Sequence, residues 1–142
     1  MKRVAVTGLG VISPVGNDVP TFWNALCSGT CGIGPITKFD ATDYPVKLAA
    51  EVRDFDPRQY MEKLDILHSD VYTHFAMAAA CQAVADSGIA GTLDAERVGV
   101  YIGSGIGGIA TFMTEHSKLL NRGPRRVSPY FIPMMIPNMA SS

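Results

Sequence analysis

Val98–Ile102 is a short apolar run that stops in Gly103-Ser104-Gly105-Ile106-Gly107-Gly108 and gives way to a helix-forming stretch ending near Leu120. A short apolar run between such boundaries predicts a buried strand, and the glycines predict a tight strand-to-helix turn. The same order opens the chain. Val4–Thr7 runs into Gly8-Leu9-Gly10, a Ser13-Pro14-Val15-Gly16-Asn17 loop follows, and Asp18 with Pro20 predicts a helix start. That helix is expected through about Gly29, with Phe22, Trp23 and Leu26 on its apolar face. The clearest helix runs from about Asp70 to Ser87 and is closed by Gly88; its alanines at 76, 78, 79, 80, 83 and 85 allow close backbone approach. Val46–Val52 reads as a further strand. Strand alternating with helix predicts an α/β fold with a mostly parallel sheet.

Two or three parallel strands cannot cover both faces of such a sheet. An apolar stretch from Tyr130 to Met135 also lies close before Ser142. The chain is therefore expected to be the first part of a larger domain.

Apolar residues make up 47% of the 142, which excludes intrinsic disorder. The net charge of −1 implies no general affinity for nucleic acid. The longest uninterrupted apolar run, Phe75 to Cys81, is too short to cross a bilayer. Lys2-Arg3 leads straight into Val4-Ala5-Val6-Thr7 and glycine, which is no secretory signal. Three cysteines, an odd number, fit a reduced compartment. A cytoplasmic protein is expected. Charge is uneven: residues 98–142 hold 4 basic residues against 1 acidic, with Arg122, Arg125 and Arg126 close together. That segment reads either as a solvated loop or as a docking patch for an anionic partner.

Gly103-x-Gly105-x-x-Gly108 has the dinucleotide-binding spacing, but the acidic residue required about 20 positions on is replaced by Arg122-Gly123-Pro124-Arg125. The glycines are better read as a tight turn that lets another backbone or an acyl chain pass closely. Ser104 lacks the flanks of a nucleophile elbow and is expected to fix the turn through its hydroxyl. His74 and Cys81 share a helical face, but two ligands do not make a zinc site. Cys27 and Cys31 are expected to be buried thiols. No nucleophile, base and oxyanion site assembles from these residues.

Several motifs in register resemble one family. Val4-Ala5-Val6-Thr7-Gly8-Leu9-Gly10-Val11-Ile12-Ser13-Pro14-Val15-Gly16-Asn17 is similar to the opening of the β-ketoacyl-acyl-carrier-protein synthases. Phe22-Trp23, Ser28-Gly29, Gly32-Ile33, Phe39-Asp40 and Asp86-Ser87-Gly88 follow in that family's order. So do Gly103–Gly108, Gly123-Pro124-Arg125-Arg126-Val127-Ser128-Pro129-Tyr130-Phe131-Ile132-Pro133 and Pro137-Asn138-Met139. The branch it resembles most is the synthase II type, which elongates longer acyl chains.

The resemblance implies a thiolase-like layered αβαβα fold, of which this chain is the N-terminal part, working as a homodimer. It also implies decarboxylative Claisen condensation of acyl and malonyl carrier-protein thioesters, in fatty-acid or related polyketide synthesis. A cysteine thiolate takes the acyl group, and two histidines and backbone amides stabilise developing negative charge. No metal or organic cofactor is implied, because phosphopantetheine arrives on the acyl carrier protein. The nucleophilic cysteine and both histidines fall after Ser142 in family order. Cys27, Cys31, Cys81, His68, His74 and His116 match none of them.

The roles that carry over are supporting ones. Ile106 matches the residue closing the acyl pocket, Phe131 one reaching into the partner subunit's pocket, and Arg125 and Arg126 a basic pair contacting the acidic carrier. Lys63 is the one lysine kept in a segment, Lys63-Leu64-Asp65-Ile66-Leu67-His68-Ser69-Asp70, where relatives carry several basic residues. Two alternatives stand beside this reading: a non-catalytic partner subunit of a condensing enzyme, and a nucleotide-binding module resting on the Gly103–Gly108 turn.

Overall fold

The computed structural model describes residues 3–142. Helix α1 spans Val19–Cys27. Asp18 caps it, its Oδ1 accepting from the Thr21 N–H at 2.8 Å, and Pro20 sits in the first turn where no donor is lost. Ser28 ends it two turns later, its hydroxyl donating to the Asn24 carbonyl.

Strands β1 (Ile33–Pro35) and β2 (Leu48–Ala50) pair antiparallel, with Ile33 opposite Ala50 and Pro35 opposite Leu48. The expected Val46–Val52 strand is thus present in shortened form. Glu51 follows β2 and is buried; its carboxylate accepts from the Thr37 N–H and hydroxyl, locking the connection. Those two bonds hold its carboxyl below the usual glutamate range.

A short helix α2 (Lys63–Leu67) precedes α3 (Val71–Ser87), around which the other segments gather. Gly88 ends α3 in the left-handed conformation at φ 63°, as its position just past the periodic run predicts. The alanine surface of α3 receives the Gly8-Leu9-Gly10 segment so closely that a Cβ on Gly10 would lie 1.9 Å from the Ala79 carbonyl oxygen. Side chains of α3 also satisfy that segment's backbone: Asp86 accepts from the Leu9 N–H and Gln82 from the Val11 N–H. On another side Phe55 meets Phe75 edge to face at 5.0 Å, and the Tyr72 hydroxyl donates to the Ile136 carbonyl. Helices α4 (Ile109–Arg122) and α5 (Phe131–Met135) follow, and short 3₁₀ turns fill several connections.

Two expectations fail. Among the described residues Val4–Thr7 and Val98–Ile102 form no strand, and the sheet is two-stranded and antiparallel rather than mostly parallel. A strand needs a lateral neighbour to take its amides and carbonyls, and neither segment has one here. Their side chains are correspondingly open, with Val4 94% and Tyr101 100% exposed. The second concerns burial. Only Thr73, His74 and Ala78 of α3 are buried, so the helix is a hub with open faces rather than an enclosed one.

Candidate functional site

The site is built where α4 begins. Gly107 adopts φ 76°, which favours glycine, and its N–H donates to the Ser104 hydroxyl at 2.9 Å. Ser104 therefore fixes the turn. The Gly108 N–H donates to the Met135 carbonyl at 2.9 Å. A Cβ on Gly107 or Gly108 would lie 2.3 or 2.2 Å from the carbonyl oxygens of Met135 and Met134. The glycines admit the end of α5, the close backbone passage anticipated for this motif.

Asp70 closes the other side. It is buried, and its carboxylate accepts from the Thr111 N–H at 3.3 Å and from the Thr111 hydroxyl. A carboxylate at a helix N-terminus is favoured by the helix dipole. The place where a nucleotide phosphate would sit is thus filled by Asp70 and by carbonyls of α5, which leaves the nucleotide-binding alternative without a cradle.

Ile106 lies on the outer side of this turn, 67% exposed. Phe131 is the first residue of α5 and half-buried, with its ring 6.0 Å from that of Phe112 in the first turn of α4. Both proposed pocket residues therefore belong to one α4–α5 corner. Arg125 and Arg126 occupy a 3₁₀ turn, Pro124–Arg126, and both are exposed. Neither forms an ion pair among the described residues.

Lys63 is the first residue of α2, distant in sequence, yet its helix reaches the same region. His68, at the end of α2, stacks on Tyr130 with ring centroids 3.7 Å apart. That contact joins the Lys63–Leu67 helix to the segment following the arginine pair. Leu64 and Leu67 are exposed on it.

Sequence reasoning missed Glu115 as a site residue. It is buried on α4, where it pairs with Lys118 and accepts from the Ser128 N–H at 2.7 Å. The Lys118 ammonium, then the Ser128 N–H, hold its carboxyl below the usual glutamate range. A signal was present, since Glu115 is the one acidic residue among residues 98–142. The His68–Tyr130 stack and the Asp70–Thr111 contact were also missed, and no local pattern announces either.

The cysteines differ from expectation too. Cys27 and Cys31 are exposed rather than buried, Cys27 because α1 presents its last turn to solvent; Cys81 is half-buried. His74 is buried, with its Nε2 in contact with the Ile66 carbonyl and the Ser69 hydroxyl rather than Cys81. Among the described residues no three His, Cys, Asp or Glu side chains gather as metal ligands would.

Comparison with known proteins decides the family. The family model described as the N-terminal domain of β-ketoacyl synthase matches residues 1–142. The chain belongs to the β-ketoacyl synthase family. A 3-oxoacyl-[acyl-carrier-protein] synthase 2 of Coxiella burnetii is 51% identical over 99% of this chain, and one of Synechocystis is 46% identical over the same share. The chain spans 34% of the length of each of these relatives.

Solved ketosynthases share the fold. The ishigamide ketosynthase/chain length factor superposes with a TM-score of 0.78 at 27% identity, covering 95% of this chain and 34% of its own. A ketosynthase bound to the hexaketide, in complex with its type II PKS acyl-carrier protein, gives 0.81 at 25% identity, covering 99% and 37%. The β-ketoacyl synthase chain thus carries the N-terminal part of the thiolase-like layered fold. Among the described residues no helix is long and apolar enough to cross a membrane.

Proposed function

We propose that the polypeptide carrying this chain is a condensing enzyme of fatty-acid or related polyketide synthesis that elongates acyl chains on an acyl carrier protein. A cysteine thiolate, assigned beyond Ser142 with the two histidines, displaces the carrier thiol from the acyl thioester. Malonyl-carrier loses carbon dioxide, and the resulting carbanion attacks the acyl-enzyme and expels the cysteine thiolate. Phosphopantetheine is supplied by the carrier, no metal or organic cofactor is used, and the enzyme works in the cytoplasm as a homodimer.

In this reading Ile106 closes the acyl pocket and Phe131 reaches the partner subunit's pocket. Arg125, Arg126 and Lys63 attract the carrier. The observation that carries the reading is the 51% identity, across 99% of this chain, with a relative named as a 3-oxoacyl-[acyl-carrier-protein] synthase. The solved neighbour in complex with its acyl-carrier protein supports the carrier as partner.

The test is made on the full polypeptide with acyl- and malonyl-carrier thioesters, reading products by mass spectrometry. A β-ketoacyl product two carbons longer than the acyl donor is expected. No product and no acyl adduct would favour the non-catalytic partner subunit. Ile106→Phe should lower kcat/KM for the longest chains about tenfold, the scale of overfilling a fitted pocket, and leave short chains nearly unchanged. A uniform loss at all chain lengths would assign Ile106 to the turn rather than to the pocket.

A further inference from the structure

The arginine turn is held at both ends. Upstream it continues from the end of α4, where the Gly123 N–H donates to the Leu119 carbonyl and the Arg126 N–H to the Gly123 carbonyl. Downstream, the backbone at Ser128 is tethered to α4 by the buried Glu115 carboxylate. Pro124 and Pro129 stiffen the same loop. Glu115 could neutralise an arginine if it were free to reach one, but Lys118 already pairs with it and Ser128 holds its second oxygen. Both guanidinium groups are left exposed on a fixed backbone.

We propose that Glu115 is a positioning residue for carrier docking, holding the 124–128 turn so that Arg125 and Arg126 meet an anionic partner already ordered. The proposal rests on the docking role given to those arginines above. Ordering a loop before binding removes an entropic cost that association must otherwise bear. Lys118 makes the arrangement work by keeping the carboxylate occupied. Glu115 touches no substrate in this account and acts only through the turn.

The experiment uses the full polypeptide and two acyl donors, the acyl-carrier thioester and the same acyl group on pantetheine without the carrier protein. Glu115→Ala should raise KM for the carrier thioester about fivefold, the scale of ordering one or two side chains on binding. Its kcat, and its turnover of the pantetheine thioester, should match wild type. Glu115→Gln should give an intermediate KM, because the amide oxygen can still accept from Ser128 but cannot pair with Lys118.

Wild-type values in both variants would overturn the proposal. Equal losses on both donors in Glu115→Gln would also overturn it, by making Glu115 a general structural residue. That variant decides the matter if Glu115→Ala fails to fold. The double variant Arg125→Ala, Arg126→Ala separates the two readings. If it leaves the carrier KM unchanged, the docking role itself is wrong. If it raises KM while both Glu115 variants behave as wild type, docking stands and positioning by Glu115 does not.

Discussion

The Val4–Ile12 stretch and the Val98–Gly108 stretch both lead from an apolar run into glycines, and the molecule holds them in different ways. In the first, Gly8 and Gly10 press onto the carbonyls of Ala83 and Ala79, and the side chains of Asp86 and Gln82 take up backbone N–H groups. Among the described residues, Gly103 and Gly105 of the second have nothing within 4 Å of a Cβ position, and contact begins only at Gly107 and Gly108. The role of a glycine is therefore set by what approaches it. A segment outside any strand is held where a helix offers it an alanine surface and side-chain acceptors.

The largest expected effect breaks the first of these contacts. Gly10→Ala would drive a methyl group into the Ala79 carbonyl, 1.9 Å from its Cβ position, and neither backbone can move without unseating the segment from α3. A loss of about 3 kcal/mol in unfolding free energy is expected, at the upper end for overpacking. Gly103→Ala, which meets no atom within 4 Å among the described residues, should cost less than Gly10→Ala. Urea unfolding of both variants of the full polypeptide measures the pair. Equal losses would erase the distinction between the two stretches.

A smaller effect probes the corner where the second stretch ends. Asp70→Ala leaves the Thr111 N–H and hydroxyl without their acceptor beside the tightly packed Gly108. The cost of leaving donors unsatisfied is about 1–3 kcal/mol when they are fully buried, so for these half-buried ones the lower end of that range is expected. Asp70→Asn keeps an acceptor oxygen and should recover part of the loss in the same measurement. A neutral Asp70→Ala would mean that α5 alone holds the turn through the Met134 and Met135 carbonyls.

The helices were legible because their signals are local. Asp18 and Pro20 announce α1, Gly88 closes α3, and the glycine turn at 103–108 precedes α4, all within a few residues of the structure they cause. The two apolar runs were misread as paired strands because pairing depends on residues elsewhere, which an apolar pattern does not specify. The site divides the same way. The resemblance picked out Ile106, Phe131, Arg125 and Arg126, and the structure gathers all four around α4. Asp70 reaches a partner 41 positions away and Glu115 one 13 away, and no sequence spacing pairs them. Such contacts become visible only when the chain has folded.

Acid contrasts two other neighbourhoods with the smallest effect, those of the Val11 and Ser128 amides. Gln82 holds the Val11 N–H at 3.1 Å through an amide that does not ionise, whereas Glu115 holds the Ser128 N–H through a carboxylate. Lys118 first, and Ser128 second, keep that carboxyl below its ordinary range. A carboxylate depressed in the folded state binds fewer protons there than in the unfolded chain. Its stabilisation is complete above the unfolded glutamate value of about 4.3 and is lost as pH falls through the lower folded value. Hydrogen exchange of the full polypeptide, corrected for intrinsic rates, should show the Ser128 amide losing protection below that pH while the Val11 amide keeps its own. Added salt should raise the pH of this loss by screening the partly exposed Lys118. Glu115→Gln should remove the step at Ser128 and leave Val11 unchanged. If both amides open together in wild type, the neighbourhoods of Val11 and Ser128 unfold as one unit, and the difference in how they are held has no consequence for stability.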